Sequence, residues 1–240
     1  MLDKRPFETL GHANHGWLNA RHHFSFGSYF DRDRMNWGAL RVWNDDEIAA
    51  KSGFPTHPHQ DMEIITYVRQ GAITHRDSMG NEGRTEAGDV QVMSAGTGVQ
   101  HSEFNLEDEE TRLFQIWIIP RERGGEPRWD AREFPRGDRS GKLEVLASGY
   151  ADDVAEGALE IRADARLYAA TLQDGESVTY AAPEGQVAYA VPSKGTLLAN
   201  DVTVDTRDGI AIGGDGPVTF TAQGETEIVL VETADNITMH

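Results

Sequence analysis

The residues able to do chemistry are unevenly placed along this 240-residue chain. Of its nine histidines, eight lie at or before position 101: His12, His15, His22, His23, His57, His59, His75 and His101. The ninth is His240, so the second half has no imidazole cluster from which to build a metal site. In Thr56-His57-Pro58-His59 two imidazoles recur at period two. On extended backbone they point the same way, about 7 Å apart. Pro58, on the opposite face, cannot donate to a sheet ladder, which favours an edge or a strand start. Two neutral imidazoles on one face can converge on one divalent ion. His101-Ser102-Glu103 repeats the device with one imidazole and one carboxylate. Two such strands facing inward would offer three histidines and a glutamate, leaving a six-coordinate ion open positions for catalysis. Glu63 shares the parity of His57 and His59 and is the rival carboxylate; spacing alone leaves both open.

Other polar groups nearby read more plainly. His75 and Asp77 are expected to stabilise a turn. His22 and His23 adjoin Phe24, Phe26, Tyr29 and Phe30 and are expected to pack. Ala95-Gly96-Thr97-Gly98 lacks the lysine and following helix of a phosphate loop and reads as a tight turn that carries His101 inward. The chain has no cysteine, which excludes disulfides, thiolate metal sites, iron–sulfur clusters and a cysteine nucleophile.

The elements that must hold these residues are strands. Short apolar or alternating runs recur at Gly38–Trp43, Glu63–Val68, Val90–Met93, Leu113–Ile119, Leu143–Ala147, Leu167–Leu172, Val187–Val191, Val218–Thr221 and Ile228–Val231. Turn clusters rich in the chain's 25 glycines separate them. The pattern predicts an all-β sandwich or barrel architecture with few helices, one over Asp45–Lys51 and one near Asp152–Leu159. Apolar periodicity lapses between Pro120 and Lys142. That stretch is expected to connect two β domains, residues 1–134 and 143–240, through a linker at 135–142. Its basic residues are expected to pair with acidic neighbours.

Length and a hydrophobic content of 38% suit a packed chain of one large or two ordinary domains. The net charge of −18 is concentrated late: four basic against 17 acidic residues after position 142, a net −13. Such a field repels phosphate backbones and anionic lipids, so neither nucleic acid nor a membrane surface is expected as a partner. No apolar run reaches the length of a membrane span, and Met1–Pro6 does not open a signal peptide, so a cytoplasmic location is expected.

The chain closely resembles the pirin family of bicupins. The resemblance rests on His57-Pro58-His59 with Met62-Glu63-Ile64-Ile65-Thr66-Tyr67-Val68, on His75-x-Asp77-Ser78-x-Gly80 and on His101-Ser102-Glu103. Gly88-Asp89-Val90-Gln91-x-Met93-Ser94-Ala95-Gly96-x-Gly98, His23-Phe24-Ser25-Phe26-Gly27 and Leu40-Arg41-Val42-x-Asn44-Asp45-Asp46 fit it too. Asp61-Met62-Glu63 is more similar to bacterial pirin-like quercetinases than to eukaryotic pirins. The match is dense over residues 11–120 and general over 143–240, where Tyr189–Gly195 departs from the usual regular strand. The resemblance implies two cupin (jelly-roll β-barrel) domains, with metal only in the first, held by His57, His59, His101 and Glu103. Glu63 then becomes a pocket residue, a residue behind the ligands or a hydrogen-bonded strand glutamate. It further implies one divalent ion, iron above manganese, nickel, cobalt, copper or zinc, and a dioxygenase that opens flavonols such as quercetin with O2 and releases carbon monoxide. Glu103 would be the general base. The alternative it carries is a redox-responsive, metal-binding interaction protein whose acidic second domain docks a protein partner. Two cupins in one chain imply a monomer.

Overall fold

A computed structural model describes residues 1–214 and 216–236, and for Asp138 the backbone alone. The last four residues of the expected second domain, His240 among them, lie outside the described residues. The first half contains β1 (Leu2–Arg5), β2 (Gly11–Asn14), β3 (Leu18–His22), β4 (Leu40–Ile48), β5 (Ser52–His59) and β6 (Glu63–Gln70). It continues with β7 (Ala72–Asp77), β8 (Glu82–Glu86), β9 (Val90–Ser94), β10 (Val99–Asn105), β11 (Thr111–Ile118) and β12 (Arg128–Arg132). The second half adds β13 (Glu144–Ser148), β14 (Leu159–Glu160), β15 (Ala165–Leu172), β16 (Ser177–Tyr180) and β17 (Gln186–Ala199). It closes with β18 (Val202–Val204), β19 (Gly209–Ile212) and β20 (Val218–Ala234).

Two sheets enclose the first barrel, one seven-stranded in the order β12-β9-β6-β11-β4-β3-β2 and one four-stranded in the order β5-β10-β7-β8. A nine-stranded sheet built on β17 and β20 forms the second half. This all-β pair of barrels fits the sandwich or barrel expected from the strand pattern and the two cupin domains that the resemblance implies. β1 crosses over: residues 2–5 pair with β19, in the second half's sheet.

The period-two alternation of the long strands explains how the halves meet. On β6, Ile64 and Val68 face the interior of the first barrel, whereas Ile65 and Tyr67 join a core shared by both halves. Trp43, Phe114 and Ile116 from the first half meet Leu146, Leu167, Tyr189 and Val231 from the second in that shared core. The second barrel is filled by an apolar cluster that includes Leu172, Leu197, Phe220 and Leu230. The first barrel is apolar only toward its ends, around Leu18, Ile73 and Leu113 and around Ile64, Met93 and Val99. Its middle is polar.

Three expectations need correction. Asp45–Ile48 is the second half of β4, not a helix. Its charges suggest a solvated face, but Asp45 is buried in ion pairs with Arg69 and with Arg207 of the second half, 2.5 Å away in the latter case. The helix expected near Asp152–Leu159 is confined to Ala151–Ala155, and Leu159 already starts a strand. The Pro120–Lys142 stretch is partly built: β12 pairs with β9 and completes the seven-stranded sheet, and a 3-10 turn follows at Arg136–Arg139. Its basic residues do pair with acids, among them Arg121 with Asp164, Arg128 with Glu160, and Arg136 and Arg139 with Glu227. The irregular stretch at Tyr189–Gly195 lies within β17, whose register against β20 shifts on either side of Lys194.

Candidate metal centre

β5 and β10 run antiparallel at the mouth of the first barrel, with His57 opposite His101 and His59 opposite Val99. The register shifts between His101 and Glu103, where β5 carries an extra residue beside Pro55. The rings of His57, His59 and His101 stand 4.5–4.9 Å apart, centroid to centroid, in one mutual cluster. One ligand nitrogen from each lies within 4.8 Å of the others.

The atoms suit an ion. His57 Nδ1 lies 2.7 Å from the Pro55 carbonyl, which can only accept, so a neutral His57 carries its proton there and leaves Nε2 free. His57 Nε2 and His101 Nε2 are 3.0 Å apart. Two nitrogens bound at about 2.1 Å and at right angles around one ion stand about 3.0 Å apart. Burial, then the charge of His57, lowers the pKa of His59 to about 4 and that of His101 to about 2. Both are therefore neutral, as ligands must be.

Glu103 is buried behind this cluster and falls in a second group, with His101 and His75. Gln91 Nε2 donates to its Oε1 at 2.7 Å, Thr66 Oγ1 to the same oxygen at 3.3 Å, and Gln115 Nε2 to Oε2 at 2.8 Å. Burial raises the Glu103 pKa to about 7 against the pull of these donors. Trp117 donates through Nε1 to Gln115 Oε1 at 3.1 Å and sets its ring edge-on to His59. Gln91, Gln115 and Trp117 escaped the sequence reading. Their signal was a glutamine inside each of two apolar runs, Val90-Gln91-Val92 and Phe114-Gln115-Ile116.

Glu63 sits elsewhere. The chain turns at Gln60–Met62, with Asp61 at a φ of 48°, so the parity of β5 does not carry into β6. The Glu63 side chain accepts from Ser94 Oγ at 2.7 Å and from the Arg162 N–H at 3.0 Å, bridging to the second half. It is a hydrogen-bonded strand glutamate outside both ligand groups. His22 and His23 pack as expected, buried and bonded to Asn44 and Tyr189. Asp77 holds its turn, accepting from the N–H groups of Met79 and Asn81.

Beside Gln115 lies a partly enclosed cavity of about 280 Å³, walled by residues that include Leu18, Ala20, Phe26, Phe54, Asp46 and Gln115. Gln115 holds Glu103, and the Phe54 ring is 6.3 Å from that of His57, so two of its walls touch the metal cluster's surroundings. Asp46 is 2% exposed and its Oδ1 has no hydrogen-bond partner among the described residues. Burial, then the charges of Asp45 and Glu103, push its pKa well above the carboxylate range.

Paired β-barrels with histidines clustered at the mouth of one define a bicupin. The chain belongs to the pirin family: the pirin profile matches residues 4–118, and that of the quercetinase C-terminal cupin domain matches residues 145–233. It is 58% identical over 234 residues to a pirin-like protein of Caulobacter vibrioides, covering 98% of this chain and 100% of that one. It is 44% identical to the quercetin 2,3-dioxygenase of Escherichia coli K12, covering 97% and 98% of the two chains. The crystal structure of the E. coli bacterial pirin YhhW in complex with nickel(II) superposes with a TM-score of 0.91 at 39% identity, covering 99% of this chain and all of that one. A divalent-metal site in the first barrel is thus consistent with both the donor set and the family. No helix among the described residues is long and apolar enough to cross a membrane.

Proposed function

We propose that this chain is a metal-dependent dioxygenase that opens flavonols such as quercetin with O2 and releases carbon monoxide. The observation that carries the reading is the cluster of three imidazoles beside a buried carboxylate and a largely apolar cavity. His57, His59 and His101 would hold the ion, with Glu103 as fourth ligand, and iron is the metal we propose from the family resemblance. Held there, a divalent ion would supply Lewis acidity that lowers the pKa of a phenolic hydroxyl. Glu103, its basicity raised by burial, accepts that proton at a carboxylate oxygen, with Gln91 and Gln115 orienting the group. Leu18, Phe26 and Phe54 shelter the flat aromatic ring from water. Residues 1–134 would hold this chemistry, joined through 135–142 to a metal-free second barrel from 143 on, the whole acting as a cytoplasmic monomer.

The test follows quercetin absorbance in air with metal-free chain reloaded separately with iron, manganese, nickel, cobalt or copper, beside a His101→Ala control. Metal-dependent loss of absorbance that vanishes in the control is the expected result. A tightly metallated chain that leaves quercetin untouched would overturn the flavonol reading and favour the metal-binding interaction protein. Turnover by His101→Ala without bound metal would overturn the site.

A further inference from the structure

His101 has two ring nitrogens, and the metal cluster uses one. Its Nε2 faces His57, while its Nδ1 lies 3.4 Å from Nδ1 of His75, at the far end of hydrogen-bond range. His75 Nε2 lies 3.0 Å from Asp77 Oδ2. Asp77 already accepts from the backbone N–H groups of Met79 and Asn81 through Oδ1 and from Asn81 Nδ2 through Oδ2, so it is placed as an ionised acceptor. An ionised carboxylate can only accept, which puts the His75 proton on Nε2 and leaves a lone pair on its Nδ1. That lone pair faces His101. His101 can satisfy it only by carrying its own proton on Nδ1, which leaves the Nε2 lone pair directed at the ligand cluster. The ladder enforces the alignment: on β10 and β7, His101 is opposite Asp77 and Glu103 is opposite His75.

A side chain from outside these strands holds the middle member. The Trp129 ring on β12 stacks on His75 at 4.9 Å and 8° from parallel. A Cβ on Gly83 would come within 2.2 Å of the same indole, so Gly83 leaves the room in which Trp129 lies flat. His75 is fully buried, and the hydrogen bonds of its ring among the described residues go to Asp77 and His101 alone. A turn-stabilising residue would not need the second of these.

We infer that Asp77 and His75 form a positioning relay that fixes His101 as an Nε2 ligand, with Trp129 clamping the relay in place. The inference rests on the proposed role of His101 as a ligand, and the test separates the two. Zinc affinity is measured by competition with a chromophoric chelator for the wild-type chain, for His75→Phe and for His75→Asn. Phenylalanine keeps the ring on Trp129 but removes both nitrogens, whereas asparagine restores an acceptor near the Nδ1 position. His75→Phe is expected to bind zinc about 10–100-fold more weakly, and His75→Asn within about threefold of wild type on the same scale. In zinc-loaded wild type, the His101 Hδ1 proton should give a slowly exchanging NMR resonance with a cross-peak to the His75 ring, lost in His75→Phe. Equal affinity in His75→Phe, or loss in His75→Asn as large as in His75→Phe, would overturn the relay. So would a wild-type His101 Hδ1 that exchanges rapidly with water, a readout that needs no variant to fold. A wild-type chain that takes up no zinc would overturn the ligand role itself and the relay with it.

Discussion

Glu103 and Asp46 are two buried carboxyls with opposite surroundings, and each should answer differently to substitution. Glu103 is held by three side-chain donors, so Glu103→Gln changes its charge and basicity more than its volume. Turnover of quercetin by the metal-loaded variant should fall by about 10²–10⁴-fold, while equilibrium dialysis should still find metal on the three imidazoles. Asp46 has an orphaned oxygen, and its pKa is raised by burial and then by Asp45 and Glu103. Above the ordinary carboxylate range the unfolded chain has released this proton and the folded chain has kept it. Stability contributed by the group is therefore present at acid pH and lost as pH rises toward its folded pKa. Asp46→Asn has no such proton to lose, so its resistance to unfolding should increase relative to wild type as pH rises from 4 to 8. Urea titrations across that range would show it, and a difference independent of pH would count against a protonated Asp46.

At the scale of elements, β12 is the unexpected contributor. It lies in a stretch of arginine, glycine and proline with no apolar alternation, yet its pairing with β9 places Trp129 against His75. Trp129→Ala removes no ligand and no partner of a ligand's proton. Metal affinity should nevertheless fall by about tenfold, as for other residues that orient ligands, and isothermal titration with nickel would measure it. An unchanged affinity would mean that β7 and β10 hold His75 without the clamp.

Across the whole molecule, a single apolar core runs between the barrels and is stitched by polar contacts. Tyr67 donates to Glu227 Oε1 at 2.6 Å, Ser193 to the same oxygen at 2.7 Å, and Arg136 reaches Oε2 at 2.6 Å. Burial alone would raise the Glu227 pKa, but the Tyr67 hydroxyl and the charges of Arg139 and Arg136 outweigh it and hold it below the usual value. Tyr67→Phe leaves this carboxylate short of a donor and should cost about 1.5–3 kcal/mol. Because the core is shared, calorimetry should show one cooperative transition for both halves, shifted down in the variant; two separated transitions would contradict the coupling.

The strand pattern, the pairing of His57 with His59 and of His101 with Glu103, and the barrenness of the second half in imidazoles were all legible along the chain, because period-two alternation is a local property. The helix reading failed at Asp45–Lys51, and β12 went unseen within Pro120–Lys142, for one reason. Charged residues there are neutralised by partners far away in sequence, such as Arg207 for Asp45 and Glu227 for Arg136, and local polarity cannot reveal a distant counter-charge. The parity of Glu63 with His57 was real but did not survive the turn at Asp61, which sends β6 into another sheet with Glu63 on its outer face. Tertiary structure alone decided that Gln91 and Gln115 cradle Glu103, that Asp46 borders a cavity, and that Trp129 reaches His75. Each depends on which strands become neighbours, and that is settled by burial of the whole barrel rather than by any one segment.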